Sequence, residues 1–160
     1  MLVVGLCLML FLAGFWKNGE AWEADADVDA DIGEEKRIAI TFDDGPHRLY
    51  TPKLLDGLKE RGIHATFFLV GENIGNNEAL VKRMAEEGHL IGNHTYHHVE
   101  LTSLPEDKAR QEVEQTDQTI SKITGEHVAY MRPPFGAWKK EMETELEVMP
   151  VLWTVDPLDW

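Results

Sequence analysis

The stretch from Lys36 to Pro46, KRIAITFDDGP, decides the fold prediction, because it joins a strand pattern to a turn that carries two carboxylates. Residues 37–42 are rich in β-forming side chains and predict a short strand. Asp43-Asp44-Gly45-Pro46 is a turn signal immediately after it. Neighbouring strand residues point to opposite faces, so both aspartates can reach one site only where the strand gives way to a loop.

The rest of the chain repeats this alternation of strands and helices. Further strands are predicted at 65–70, 89–93, 128–131 and 151–155. Helices are predicted from Thr51, Asn77 and Pro105, ending at Gly62, Gly88 and Gly125, with a fourth over residues 138–149. In the third helix the positions Ala109, Val113, Thr116, Ile120 and Ile123 follow helical spacing. Alternation of this kind predicts an α/β fold of βα units around a parallel sheet.

Chemically unusual residues follow four of the predicted strands. They are Asp43-Asp44, His94, Arg132 and Asp156, each just after the carboxyl end of a strand. In parallel α/β sheets and barrels that edge is where functional sites are built. The sequence therefore predicts one site formed by these loops.

The His94-Thr-Tyr-His-His98 segment indicates a metal site. Histidines four residues apart project from the same face of a helical turn, and this spacing suits two ligands of one tetrahedral ion. Of the aspartates after the first strand, one could bind the ion while the other acts as general base on a water that the ion holds. A solvated Asp-Gly turn is the simpler alternative for Asp43 and Asp44.

Two later segments add a cation, acids and an aromatic ring. Arg132-Pro-Pro-Phe-Gly136 is a proline-stiffened loop. Its arginine could pair with a carboxylate of the site and keep it ionised, although a purely structural ion pair at the end of a strand explains it equally well. Asp156-Pro-Leu-Asp159-Trp160 combines acids with an aromatic ring of the kind that stacks on sugars. The alternative is that Trp160 belongs to the core.

In this order, the motifs resemble those of the polysaccharide deacetylase family (the NodB-homology domain). The resemblance rests on TFDDGP at 41–46, HTxxH at 94–98, RPPFG at 132–136 and DxxDW at 156–160. It implies a distorted (β/α) barrel, a bound zinc or other divalent ion, and removal of acetyl groups from an N-acetylated polysaccharide such as peptidoglycan or a chitin-like glycan.

The resemblance also implies a role for each matching residue. Asp44, His94 and His98 would bind the metal, Asp43 would be the base, and Arg132 would hold and tune Asp43. The Phe135 N–H would stabilise the oxyanion. Trp160 would line the acetyl pocket, Pro134 would contact substrate, and Thr95 would support the histidine segment. Asp159 would orient a histidine of a further Leu-x-His motif.

That Leu-x-His motif and the last barrel strands are not found between His127 and Trp160. We therefore expect a C-terminally truncated domain. Loss of a general acid lowers rates by about 10²–10⁴-fold, so weak activity is expected. Alternatives are a non-catalytic glycan-binding module derived from such an enzyme, or a metallohydrolase that acts on another bond. The first predicts an eroded metal triad, and the second predicts more cations or a second metal.

The segments before the domain suggest export. Residues 1–16 carry no charge and suit a signal peptide or membrane anchor, residues 17–35 form an acidic linker, and residues 36–160 form the deacetylase domain. The protein is expected to be secreted or anchored, facing the cell wall, and monomeric. Cys7 is the only cysteine, which excludes an internal disulfide. A net charge of −14 argues against nucleic acid as a partner.

Overall fold

A computed structural model of the protein describes residues 37–156, and in these a five-stranded sheet carries the helices. Its strands are β1 (Thr41–Gly45), β2 (Thr66–Leu69), β3 (Leu90–Asn93), β4 (Tyr130–Met131) and β5 (Met149–Pro150). The helices are α1 (Thr51–Glu60), α2 (Gly71–Ile74), α3 (Glu78–Glu86), α4 (Glu106–Thr124) and α5 (Glu141–Leu146). Short 3₁₀ helices occupy Leu101–Ser103 and Pro134–Gly136.

The strands lie in sequence order, and each pairs with the next in parallel. All five carboxyl ends therefore meet at one edge of the sheet. The predicted α/β fold with a parallel sheet is confirmed. The predicted signal or anchor segment 1–16 and the linker 17–35 lie outside the described residues.

Most of the predicted apolar helix faces are buried. α1 contributes Leu55 and Leu58 to a core cluster that also contains Phe67 and Leu69 of β2. In α4 the buried positions are Ala109, Val113, Thr116 and Ile120, as their spacing predicts. In β2 the adjacent residues Phe67 and Phe68 are both buried, which is typical of a parallel strand covered on both faces.

The limits of two strands differ most from the prediction. β1 lies at Thr41–Gly45, not at 37–42, because its pairing with β2 begins at Thr41 and resumes at Gly45 after an irregularity. The aspartates are thus part of the strand. β5 lies at Met149–Pro150, not at 151–155. The carbonyl groups of Val151 and Leu152, which follow it, accept hydrogen bonds from the Arg132 side chain and not from a neighbouring strand.

The helices also differ in two places. The predicted helix over 138–149 is shorter, running from Glu141 to Leu146, because Trp138 packs from a loop against a second core cluster that contains Leu101, Val113 and Met131. The sequence patterns do not predict α2. Its first N–H groups are satisfied by the Thr95 and Tyr96 carbonyls, which lie more than 20 residues away in sequence. No helix within residues 37–156 has both the length and the apolar composition needed to cross a membrane.

His89 leads to a prediction about stability and pH. Its side chain is 2% exposed, and its Nδ1 accepts the Ala65 N–H at 3.2 Å. Burial lowers the pKa of His89 below 6.5, although the nearby Glu87 carboxylate partly opposes this. Below pH 6.5 the unfolded chain therefore binds a proton that the folded chain does not, and the free energy of unfolding should fall as the medium becomes more acidic.

We expect His89→Asn, whose amide oxygen can still accept the Ala65 N–H, to lose less stability between pH 7.5 and 5.5 than the wild type. Urea unfolding at both pH values measures the difference. An equal loss in both proteins would show that His89 does not contribute to the pH dependence.

Candidate active site

β1 brings two carboxylates to the carboxyl edge of the sheet through a local irregularity. Its register with β2 shifts between Phe42 and Gly45, and Asp44 has a φ of +64°. This departure from regular strand geometry resembles a β-bulge, a feature that redirects side chains beside active sites. The Asp44 carbonyl accepts a hydrogen bond from Asn73 Nδ2 at 2.9 Å, which ties the bulge to α2.

The histidine loop, residues 94–98, follows β3 and is not helical. Thr95 and His98 have positive φ values of 63° and 52°, so the predicted single helical turn is wrong. The loop is fixed by other contacts: the Thr95 N–H donates to Asn93 Oδ1 at 2.8 Å, and Thr95 Oγ1 accepts the Val99 N–H at 3.1 Å. The two rings nevertheless meet, with centroids 4.9 Å apart.

Asp44, His94 and His98 form a cluster whose ligand atoms all lie within 4.8 Å of one another. The Nε2 atoms of His94 and His98 lie 3.4 and 3.3 Å from Asp44 Oδ1. Ligand atoms of a tetrahedral zinc ion, each about 2.0–2.1 Å from the metal, are separated by about 3.3–3.4 Å. These spacings therefore fit a single divalent ion.

The hydrogen bonding of His94 supports the same interpretation. His94 is buried, and its Nδ1–H donates to the Arg132 carbonyl at 2.6 Å. In the neutral ring this bond leaves a lone pair on Nε2, which faces the Asp44 carboxylate. The Nε2 lone pair and the carboxylate oxygen lie 3.4 Å apart and would repel each other unless a proton or a metal ion lay between them. The donor set of two imidazoles and one carboxylate suits zinc and several other divalent ions.

The electrostatics of Asp44 follow from this cluster. In its protonated form the His94 ring can donate from Nε2 to the Asp44 carboxylate, and this contact lowers the pKa of the Asp44 carboxyl below its usual 3.8. Partial burial acts in the opposite direction, and the charges of His94 and His98 lower the pKa further. The Asp44 carboxyl therefore loses its proton more readily than a free aspartic acid does, which suits a candidate metal ligand.

Arg132 follows β4 and connects β1 to β5. Its Nη1 donates to Asp43 Oδ1 at 2.9 Å and to Thr41 Oγ1 at 2.6 Å. Its Nε and Nη2 donate to the carbonyl groups of Val151 and Leu152 at 3.1 and 3.3 Å. The side chain is 4% exposed. A buried guanidinium held by four acceptors fixes Asp43 in one orientation.

The turn after Arg132 faces the metal-ligand cluster. Phe135 has a φ of +61°, is largely exposed, and its ring lies 5.1 Å from that of His98. Among residues 37–156 its backbone N–H has no hydrogen-bond acceptor, so it remains available to a ligand. Pro134, at the start of the same turn, is buried.

Two predicted site residues, Asp159 and Trp160, lie outside the described residues. An aromatic residue that the sequence did not single out does lie at the site. The centre of the Trp153 ring is 5.7 Å from the Arg132 guanidinium carbon. The same ring lies so close to Gly136 that a Cβ atom there would be 3.2 Å from it. Phe68 covers the same guanidinium at 4.4 Å. In the sequence, the only indication that Trp153 belongs to the site is its position three residues before Asp156.

Gly71 allows α2 to approach the histidine loop closely. A Cβ atom at this position would collide with the Tyr96 ring and lie 2.7 Å from Thr116 Oγ1. We expect Gly71→Ala to destabilise the protein by about 1–3 kcal/mol, because overpacking displaces the loop. Urea unfolding measures this. Gly75→Ala is the matched control, since its Cβ would meet nothing within 4 Å, and equal effects of both substitutions would contradict the prediction.

Comparison with known proteins gives concordant matches. The polysaccharide deacetylase family model matches residues 30–151. The chain is 44% identical to a peptidoglycan-N-acetylglucosamine deacetylase of Bacillus cereus over 77% of this chain and 46% of that protein. It is 40% identical to the peptidoglycan-N-acetylmuramic acid deacetylase PdaA of Bacillus subtilis, over 79% and 50% of the two chains. It therefore spans about half the length of these relatives.

A solved structure extends the likeness to three dimensions. The peptidoglycan deacetylase PdaC from Bacillus subtilis superposes with a TM-score of 0.77 at 38% identity, over 79% of this chain and 63% of that one. The parallel α/β architecture is therefore that of a known deacetylase structure. The family match, the sequence relatives and the fold agree, and this chain belongs to the polysaccharide deacetylase family.

Proposed function

We propose that this protein removes the acetyl group from an N-acetylated amino sugar of peptidoglycan. One observation carries the proposal: two imidazoles and a carboxylate converge within 4.8 Å at the same sheet edge where Arg132 holds a second carboxylate. This pairing of a metal-ligand set with a fixed base is suited to hydrolysis of an amide by an activated water. Curated relatives named as peptidoglycan deacetylases support the substrate class.

The roles of the residues follow from their positions. Asp44, His94 and His98 would hold a divalent ion, with zinc as our first choice, and such an ion supplies Lewis acidity toward the acetyl carbonyl and toward water. Asp43, with one oxygen bound by Arg132, takes a proton from the attacking water. Water adds to the carbonyl carbon, the proton that Asp43 accepted passes to the nitrogen as the C–N bond breaks, and acetate and the amine result.

The turn at Phe135 is suited to the charge that develops during this reaction. Its N–H, which has no acceptor among residues 37–156, would donate to the oxygen of the tetrahedral intermediate. The exposed Phe135 ring beside His98 and the half-exposed Trp153 offer apolar surface to the sugar or its acetyl methyl group. We also propose that Trp160 and Pro134 complete this pocket and that Asp159 has the catalytic, histidine-orienting role that the resemblance implies.

The remaining proposals concern the rest of the chain. Residues 1–16 would direct export or anchor the protein, residues 17–35 would connect that segment to the domain, and the domain would face the cell wall. We propose that the protein acts as a monomer on N-acetylated glycan and does not bind nucleic acid. A wall substrate is consistent with each of these proposals.

The test is acetate release by the 160-residue chain, freed of metal and then reloaded with zinc. Peptidoglycan, chitooligosaccharide and acetylxylan are offered in parallel, and the sugars of digested peptidoglycan are analysed for free amines. We expect zinc-dependent acetate release that is greatest on peptidoglycan, and the amine reports whether glucosamine or muramic acid is formed. Zinc binding without acetate release from any substrate would favour the glycan-binding module.

A further inference from the structure

Glu112 lies outside every motif of the site, yet its carboxylate holds the centre of the histidine loop. Its Oε2 accepts the N–H groups of Tyr96 and His97 at 3.0 and 2.8 Å. Its Oε1 accepts the His97 ring Nδ1–H at 2.7 Å. The Glu112 side chain is only 15% exposed, whereas the His97 ring that it binds is 53% exposed.

The loop needs such support because its conformation is unfavourable on its own. Thr95 and His98 both adopt positive φ values, a region that non-glycine residues rarely occupy. Conformations of this kind persist only where the surroundings impose them. Asn93 and α2 fix the start of the loop. Within residues 37–156, Glu112 is the only acceptor for the N–H groups of Tyr96 and His97.

Glu112 is itself held in place by a rigid element. It lies on α4, where the neighbouring Val113 and Thr116 are buried. Asn93, the last residue of β3, donates from Nδ2 to the Val113 carbonyl at 2.8 Å. The helix that carries Glu112 and the strand that leads into the loop are thus joined one residue away from Glu112.

We propose that Glu112 is a positioning residue of the metal site. By fixing Tyr96 and His97, it determines the path of the chain into His98, whose Nε2 is then held 3.3 Å from Asp44 Oδ1. The ligand set is therefore arranged before any ion binds, and no free energy of binding is used to order the loop. This inference rests on the metal site of the proposed function, but not on the identity of the substrate.

The test measures zinc affinity of the metal-free 160-residue chain by titration calorimetry against a competing chelator. We expect Glu112→Ala to bind zinc about 10–100-fold more weakly, the range found when supporting residues around metal ligands are removed. Glu112→Gln should remain close to the wild type, because its amide oxygen can accept both N–H groups. Glu114→Ala, an exposed site on the same helix, is the matched control and should not change the affinity.

His97→Ala provides a second, milder variant in case Glu112→Ala does not fold. It removes only the ring contact and should weaken zinc binding less than the loss of all three hydrogen bonds. Wild-type affinity in a folded Glu112→Ala protein, or an equal loss in Glu112→Gln and Glu112→Ala, would overturn the positioning role. A wild type that binds zinc but releases no acetate would overturn only the proposed function.

Discussion

Asp43→Asn is expected to lower the rate of acetate release by about 10²–10⁴-fold, the usual contribution of a general base. The substitution is nearly isosteric, and the amide oxygen can still accept the hydrogen bond from Arg132 Nη1 that Asp43 accepts at 2.9 Å. The geometry of the site should therefore remain while the proton acceptor is lost. Initial rates of acetate formation from peptidoglycan at saturating zinc measure the effect.

Zinc affinity separates this role from metal binding. Asp43 is not a member of the metal-ligand cluster, so Asp43→Asn should bind zinc as the wild type does. Asp44→Asn should lose both zinc affinity and acetate release, because it changes a ligand. If Asp43→Asn retained the wild-type rate, or if it lost zinc as Asp44→Asn does, the assignment of Asp43 as base would be wrong.

Arg132→Met is expected to destabilise the protein by about 3 kcal/mol, the lower end of the range for breaking a buried ion pair by removing one partner, because the Asp43 side chain is 31% exposed. The guanidinium binds Asp43, Thr41 and two carbonyl groups after β5, and its side chain is 4% exposed. Methionine fills much of the volume between the Phe68 and Trp153 rings but donates no hydrogen bond. All four acceptors would then lose this donor.

Urea unfolding of Arg132→Met is best compared with that of Arg61→Met. Arg61 is exposed, and within residues 37–156 its side chain bonds only to the Gly57 carbonyl of α1 and to neighbouring Glu60, so its replacement should change stability by no more than about 0.5 kcal/mol. Arg132→Lys should fall between the two, since an ammonium group cannot reach every acceptor. Equal unfolding midpoints for the two methionine variants would contradict the structural role of Arg132.

The architecture could be predicted because local patterns and tertiary packing agree. Periodic apolar positions such as Val113 and Ile120 indicate a helix and also face the core. In a parallel sheet all strands end at one edge, so placing Asp44, His94 and Arg132 after strands was sufficient to bring them together. The pairing of Arg132 with a carboxylate followed from the same placement.

The histidine loop could not be predicted because distant contacts determine its conformation. A spacing of four residues is compatible with a helical turn, but the hydrogen bonds from α2 and to Glu112 impose positive φ values at Thr95 and His98. Glu112 itself gave no signal, since a glutamate on an amphipathic helix normally faces solvent. The limits of β5 were likewise missed because Arg132, not another strand, binds the carbonyl groups that follow it.

The central claim is that Asp44, His94 and His98 bind one divalent ion, and anomalous diffraction from crystals of the zinc-loaded protein tests it most directly. Data collected on either side of the zinc absorption edge locate the ion without reference to activity. The account predicts a single strong peak among Asp44 Oδ1 and the Nε2 atoms of His94 and His98, and no peak there in crystals of His94→Ala. A zinc peak at another position, or none at these three atoms, would contradict it.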